Sequence, residues 1–212
     1  MKGVQAVHGL LLLALLALPL FFPQLHYWPF YLLVPLALYA AVVLAVPPLR
    51  GSVRWVRAGR FDAVVAALTG AAVVLAPAAL VLWYVTHRDD TDLADLGSQI
   101  PELRLPFLLL LGAGFSVANA LLEEAIFRGV LYEALADGYG VAAAVCIQGV
   151  AFGVVHAHGF PRGVAGVVLA SVYGLALGFL RQRSGGLLAP FVAHVFADAA
   201  IFVILLVHVG AL

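Results

Sequence analysis

Long apolar runs, separated by short polar connections, dominate the chain. Seven of them approach the roughly 20 apolar residues that a membrane-spanning helix needs: they occupy residues 5–22, 29–48, 62–86, 104–136, 139–157, 162–182 and 187–210. The fourth is too long for an upright span, which predicts a tilted helix or one that begins at the membrane interface. The seventh contains Pro190, where it could break. The pattern predicts an all-α fold, a polytopic membrane helix bundle of about seven transmembrane helices.

Composition supports this class. Of 212 residues, 65% are hydrophobic and 10% are charged, whereas a soluble domain has roughly 25% charged residues. The formal net charge is zero, so nothing indicates nucleic acid as a partner, and the lipid bilayer is the expected one. Cys146 is the only cysteine, which excludes an intramolecular disulfide and a cysteine-rich metal site. We expect residues 1–212 to form a single membrane domain.

The charged connections predict the orientation. The connection after the second run is basic and the connection after the third is acidic, with Arg50, Arg54, Arg57 and Arg60 in the first and Asp89, Asp90, Asp92 and Asp95 in the second. Basic loops remain in the cytoplasm, which places the N-terminus inside. Tyr27 and Trp28 are typical of the membrane–water interface. The first run lacks a small-residue cleavage site, so we interpret it as a retained span rather than a signal peptide.

A few charged residues lie deep in the apolar runs: they are Glu123, Glu124, Arg128, Glu133 and Asp198. Glu133 is near a helix end, and we interpret it as a solvated interface residue. Each of the others is costly, by about 2.5–3.5 kcal/mol for Asp, Lys or Arg at the centre of a membrane helix. Such charges require partners or a function.

The fourth run contains two different glutamates. Glu124 and Arg128 are four residues apart, so they share a helix face and can form a structural salt bridge. Glu123 lies about 100° round the helix from Glu124 and shares its own face with Asn119 and Ser116. A carboxylate without a full cationic partner in a low-dielectric site meets the conditions for a general base near neutral pH.

Two later runs carry histidines. In the fifth, Gln148, Phe152 and His156 recur every four residues and share a face, although His156 alone could be a histidine satisfied within the core. In the seventh, His194 and Asp198 are one helical turn apart, where a carboxyl group can orient an imidazole. His156, His194 and Asp198 could converge with Glu123 in the bundle, and these residues would then share the cost of being removed from water.

The predicted depths of these residues do not coincide. A rise of 1.5 Å per residue, counted from the predicted cytoplasmic turns, places Glu123 about 20 Å into the membrane, His156 about 26 Å and His194 about 11 Å. Convergence therefore requires tilted helices or a seventh helix that begins before residue 187.

Three motifs resemble those of a known family. EEAIFR at 123–128 has the pattern E-E-x-x-x-R, FGVVH at 152–156 has F-x-x-x-H, and HVFAD at 194–198 has H-x-x-x-N/D. In this order, on successive hydrophobic helices, they resemble the CPBP family of CAAX proteases and bacteriocin-processing enzymes, also called Abi proteins. The resemblance covers about residues 104–205, whereas residues 1–103 contribute spans without motifs.

The resemblance implies an intramembrane endopeptidase of the glutamic type that acts on membrane-associated peptides or proteins, in a bacterial inner membrane and without a metal cofactor. Glu123 would activate water with the help of His156, and His194 and Asp198 would support the oxyanion. Many members have Asn where this chain has Asp198, and an ionised Asp cannot donate a hydrogen bond to an oxyanion. Asp198 would then orient His194 instead, or be protonated. The supporting residues would be Glu124, Arg128, Phe152 and Asn119.

Four alternatives remain open. Glu123, His156 and His194 would make the two-histidine, one-carboxylate zinc set of a metallopeptidase, although no H-E-x-x-H motif is present. The chain could also be a non-catalytic immunity or scaffold protein. A proton-coupled transporter is a third alternative, although an inverted repeat of hydrophobic segments is missing. GFSV at 114–117 resembles the start of the rhomboid G-x-S-G motif, but valine replaces the last glycine.

Overall fold

The computed structural model describes residues 2–26, 29–88, 93 and 96–212, which contain no strand. The predicted interface aromatics Tyr27 and Trp28 and the four aspartates of the acidic connection lie outside the described residues. Within them the apolar helices are α1 (Lys2–Leu16), α2 (Phe30–Ala45), α3 (Ala63–Thr86), α4 (Leu105–Tyr139), α5 (Val141–Val155), α6 (Gly163–Ser184) and α7 (Leu188–His208). The prediction of an all-α membrane helix bundle is confirmed.

The helices differ in length. Helices α3 to α7 are long and apolar enough to cross a membrane, if the 3₁₀ turn that extends α5 to His158 is included. Helices α1 and α2 have 15 and 16 residues, or about 23–24 Å, which is less than the roughly 30 Å of a bilayer's hydrocarbon core. Helix α1 ends at Leu16 and α2 at Ala45, before the approximate ends predicted at residues 22 and 48. Pro19 follows α1 and Pro47 follows α2, although Pro35 and Pro77 lie inside α2 and α3.

Two predictions concern the later helices: a break at Pro190 and an unusually long fourth helix. Pro190 lies in the first turn of α7, where a missing N–H breaks no hydrogen bond, and the helix continues to His208. The predicted break at Pro190 is therefore wrong. Helix α4 is indeed long, at 35 residues, and its middle part, Ala125–Leu131, is π-helical.

The N-terminal helices pack on that π-helical segment. Leu12 of α1 and Leu32 of α2 belong to one buried cluster with Ile126 and Val130 of the segment. Helices α5 and α6 pack closely as a hairpin. A Cβ on Gly174 would come within 2.8 Å of the Gly149 carbonyl oxygen, so the helices could not approach this closely with a larger residue there. Small residues allow such close contact between membrane helices. Helix α7 packs against both α3 and α4.

A non-helical segment, residues 53–62, crosses the turn between α6 and α7. The N–H groups of Leu187 and Leu188 donate to the carbonyls of Arg57 and Ala58, at 2.9 and 3.1 Å. A Cβ on Gly186 would collide with the backbone of residues 58–59, so glycine is required for this approach. Because no side chain caps α7, the segment satisfies N–H groups that the start of a helix leaves unpaired.

This segment also connects the α6–α7 turn to α4. Arg57, whose carbonyl accepts from the Leu187 N–H, donates from its side chain to Glu133 at 2.7 Å. The predicted start of α7 differs from the observed start by one residue, so an earlier start of that helix does not account for the difference in predicted depths.

Candidate active site

Three helices bring Glu123, His156 and His194 together. Glu123 precedes the π-helical segment of α4, His156 follows the last residue of α5, and His194 lies in the second turn of α7. Glu123 Oε2 is 3.5 Å from His194 Nε2 and 3.7 Å from His156 Nε2. Glu123 is 4% exposed and His194 is 2% exposed. The cluster is thus a buried carboxylate between two imidazoles.

The His156 ring is held by its own helix. Its Nδ1 lies 2.6 Å from the Phe152 carbonyl oxygen, and since a carbonyl only accepts, Nδ1 is the donor. In the neutral ring Nε2 is then unprotonated and faces Glu123. The ring of Phe152 also lies 4.3 Å from that of His156, centroid to centroid. His156 Nε2 and the Glu123 carboxylate are therefore both hydrogen-bond acceptors, and their separation is too long for a direct hydrogen bond.

Glu124 has two partners. Its Oε1 lies 2.9 Å from Arg128 Nη1, so the ion pair predicted from their spacing is present. The same oxygen accepts a hydrogen bond of 2.8 Å from His194 Nδ1. Asp198 Oδ1 is 3.6 Å from the other ring nitrogen of His194. The sequence suggested that Asp198 orients His194. In the structure, the hydrogen bond that holds the His194 ring is donated by Nδ1 and accepted by Glu124.

Phe152 connects the three motifs. The guanidinium of the fully buried Arg128 lies 4.2 Å from the centroid of its ring, a cation–π contact. The same ring contacts His194 edge-on at 5.5 Å. One aromatic side chain therefore touches the arginine of the first motif and the histidines of the other two.

Asn119 and Asp198 join α4 to α7. Asn119 Nδ2 donates to Asp198 Oδ2 at 3.2 Å, and both residues are buried. The predicted polar face of α4 thus lies against α7. Ser116, the residue of the rhomboid alternative, donates instead to the Gly112 carbonyl of its own helix. Gln148 of the predicted α5 face donates to the Gly174 carbonyl and so links α5 to α6.

A cavity of about 470 Å³ adjoins the cluster and is lined by α3, α6, α7 and the end of α5. Its walls are mostly alanine, leucine and phenylalanine; the polar side chains that line it are His156, Tyr173, His194 and Asp198. Leu75 and Val172 line it and are 67% and 62% exposed, so it opens to the outer surface of the bundle. Glu123 lies behind the two imidazoles.

The same part of the chain matches a known family. A family model described as type II CAAX prenyl endopeptidase Rce1-like covers residues 105–200. This segment belongs to the CAAX protease family. It contains all three motifs, so the resemblance inferred from them is confirmed, and the family supports endopeptidase activity in general. No curated protein and no solved structure matches the chain. With its apolar helices, the chain is an integral membrane protein.

The sequence interpretation missed a second ion cluster, which joins the CAAX protease segment to Arg57. Arg181 is 1% exposed and donates to the Arg128 carbonyl at 2.8 Å and to Glu133 at 2.6 Å. Glu133 also pairs with Arg57, and its side chain is 12% exposed, so the prediction of a solvated residue is wrong. The N–H of Tyr132 reaches past Arg128 to the Phe127 carbonyl. The π-helical register thereby leaves the Arg128 carbonyl to Arg181.

The zinc alternative requires a set of metal ligands in the CAAX protease segment. Within the ranges that the structure describes, no group of three or more His, Cys, Asp and Glu side chains has the arrangement of a metal site. Whether the reaction uses a metal is a question for the chelation experiment below.

Proposed function

We propose that the protein is an intramembrane endopeptidase that hydrolyses a peptide bond in membrane-associated peptides or proteins. The observation that carries this proposal is the position of Glu123 Oε2, 3.5 and 3.7 Å from the Nε2 atoms of histidines on two other helices. The confirmed CAAX protease family of residues 105–200 supports the same reaction class.

Glu123 and His156 are suited to hold one water molecule. Their facing atoms, Oε2 and the unprotonated Nε2, are both acceptors 3.7 Å apart, and a water molecule has two O–H donors. Water that donates to both presents its oxygen lone pairs to a substrate carbonyl. Glu123 takes one proton as the water oxygen bonds to the carbonyl carbon. The C–N bond then breaks, and the proton passes to the leaving amine nitrogen, which yields a carboxyl group and an amine.

His194 is suited to the carbonyl oxygen. Since Nδ1 already donates to Glu124, the ring can donate toward the cavity from Nε2 only as an imidazolium. A cationic donor at that point stabilises the negative charge that develops on the oxygen. The carboxylates of Glu124, Glu123 and Asp198, all within 3.6 Å of the ring nitrogens, compensate its charge.

The apolar cavity is suited to hydrophobic groups beside the scissile bond. Its opening on the surface of the bundle admits a substrate from the membrane. We further propose that the protein lies in a bacterial inner membrane with its N-terminus in the cytoplasm, and that the reaction needs no metal.

The decisive experiment compares the wild type with Glu123→Gln in detergent. The probes are two fluorogenic peptides with the same sequence and apolar C-terminal segment, of which one carries a farnesyl group. We expect the wild type to cleave at least one probe and Glu123→Gln to lower turnover by a factor of about 10²–10⁴ at an unchanged melting temperature. Glu102→Gln, which changes an exposed carboxylate, is the matched control and should retain turnover.

Other outcomes select the alternatives. Full turnover in Glu123→Gln would show that this residue is not the base. Loss of turnover with a chelator, restored by zinc, would select the metallopeptidase. Equal performance of the wild type and a His156→Ala, His194→Ala double variant in a protection assay would favour a non-catalytic immunity protein.

A further inference from the structure

Tyr173 of α6 carries a buried hydroxyl for which no hydrogen-bond partner exists among the described residues. Buried hydroxyl groups in folded proteins are nearly always hydrogen-bonded, and an exception needs an explanation. Tyr173 belongs to none of the three motifs. If the position required only an apolar ring, phenylalanine would serve equally well.

The position of Tyr173 relates it to the candidate site. It lines the same cavity as His156, His194 and Asp198. Its ring meets that of His194 edge-on, with centroids 6.1 Å apart and an interplanar angle of 89°. It also packs against two separate hydrophobic clusters of the bundle. The ring is therefore held from several sides, next to the ring of His194 and at the wall of the cavity.

Asp198 leaves the site short of hydrogen-bond donors. Its Oδ2 accepts from Asn119, and its Oδ1 faces His194, so both oxygens already face donor groups. In its ionised form it has no proton to give. That leaves His194 as the only donor among the motif residues that line the cavity.

We propose that the Tyr173 hydroxyl donates a hydrogen bond to the carbonyl oxygen of the substrate as that oxygen becomes negative. Tyrosine is one of the side chains that supply such donors in enzymes. Tyr173 thereby supplies a donor that an ionised Asp198 does not. The inference rests on the proposed peptidase function, and it assigns a fourth cavity residue to the same site.

The first test is Tyr173→Phe in the full chain, with whichever of the two fluorogenic peptides the wild type cleaves. We expect kcat to fall by a factor of about 10²–10³, the typical cost of losing one oxyanion donor, and KM to change less than about twofold. The melting temperature should stay equal or rise, since the substitution removes an unsatisfied buried hydroxyl. Tyr139→Phe, at a position 77% exposed, is the control and should change neither.

The second test separates a donor from a packing residue. Asp198→Asn introduces an amide donor, so Tyr173→Phe should cost less turnover in that background than in the wild type. A peptide phosphonate with a tetrahedral, anionic centre should bind Tyr173→Phe more weakly than the wild type, by a factor similar to the loss in kcat. The uncleaved peptide should bind both Glu123→Gln and its Tyr173→Phe double variant equally well.

Each outcome has a definite meaning. An active wild type, an inactive Glu123→Gln and a fully active Tyr173→Phe would overturn the role of Tyr173 and leave the peptidase standing. Equal costs of Tyr173→Phe in both backgrounds would overturn its link to position 198. A wild type that cleaves neither peptide, or an active Glu123→Gln, would overturn the proposed mechanism and the inference together.

Discussion

Two buried clusters of this bundle contain histidine, and they differ in how completely their hydrogen bonds are formed. In the N-terminal cluster, His8 lies 2.6 Å from the Tyr39 hydroxyl and 2.8 Å from that of Ser52, which donates to the Leu49 carbonyl. Since that carbonyl only accepts, His8 Nε2–H donates to Ser52 and the Tyr39 O–H donates to Nδ1. The hydrogen bonds form one chain that ends on the backbone.

The second cluster is incomplete. Glu123 Oε2 and the Tyr173 hydroxyl have no hydrogen-bond partner in the described part of the chain, and His156 Nε2 faces the glutamate at 3.7 Å. His8 and His194 are equally buried, at 2% exposure. Burial therefore does not distinguish a structural histidine from a candidate catalytic one. Unsatisfied polar atoms that converge beside a cavity do.

Glu124 tests the comparison most severely, because its Oε1 contacts both Arg128 and His194, whereas its Oε2 has no hydrogen-bond partner among the described residues. Glu124→Gln leaves Arg128 buried without its counter-charge. We expect the free energy of unfolding to fall by about 3–5 kcal/mol. Turnover should fall as well, because His194 loses the charged acceptor that orients it. Denaturation in detergent and peptide cleavage measure the two effects.

The double variant Glu124→Gln, Arg128→Met separates these effects. Removing both charges should restore much of the lost stability, since no unpaired buried charge remains. It should not restore turnover. Recovery of turnover in the double variant would contradict the orienting role of Glu124.

His8→Leu should give the opposite result. The substitution leaves the Tyr39 hydroxyl buried without its acceptor, at an expected cost of about 1–3 kcal/mol in unfolding free energy. The value of kcat, measured well below the melting temperature, should not change. Combining it with Tyr39→Phe should cost less than the sum of the two single variants, because both break the same hydrogen bond. A large loss of kcat in folded His8→Leu would refute the contrast between the clusters.

Substitution of Asp62 should have the smallest effect on stability. This residue is a baseline for a polar group that is exposed to water and has its hydrogen bonds formed. It caps α3 by accepting from the N–H groups of Val65 and Val64, at 3.0 and 3.1 Å. The Val65 hydrogen bond foremost, with Arg183 and Arg60, holds the pKa of its carboxyl below the ordinary value of 3.8. A lowered pKa in the folded state stabilises the fold above 3.8, and this contribution is lost as the pH falls through the folded-state pKa.

The matching variants are Asp62→Ala and Asp62→Asn. The alanine variant should melt at a lower temperature than the wild type near pH 7, and the difference should shrink in acid. Asparagine keeps an accepting oxygen, so its melting temperature should stay closer to that of the wild type at neutral pH. A difference that stays unchanged as the pH falls through the folded-state pKa, which lies below 3.8, would refute the assigned cap charge.

Contacts within one helix could be predicted from the sequence. The Glu124–Arg128 pair needs only a helical spacing of four, and the motif residues needed only their resemblance to a family. Proline is an ambiguous signal for helix ends in this chain, since Pro47 follows α2 but Pro35 and Pro77 lie inside α2 and α3. The signal for Arg181 was weaker, since a cation near a helix end is usually solvated.

Contacts between helices could not be predicted. Spacing along a helix sets which residues share a face, but it does not set which face meets which neighbour or at what depth. Glu124 reaches His194 across 70 residues of sequence. The segment of residues 53–62 binds the α6–α7 turn through backbone hydrogen bonds, and no local pattern predicts that contact. Nothing in the sequence around Tyr173 distinguishes its hydroxyl from an ordinary interfacial one.

The backbone hydrogen bonds between residues 57–58 and Leu187 and Leu188 bear on how the gene can be shortened. The family match begins at residue 105, which invites expression of the later helices alone. Such a fragment would start α7 with bare N–H groups only two turns before His194, and it would expose the face of Ile126 and Val130 that α1 and α2 cover. The two halves should therefore be produced as one polypeptide, or co-expressed and allowed to associate.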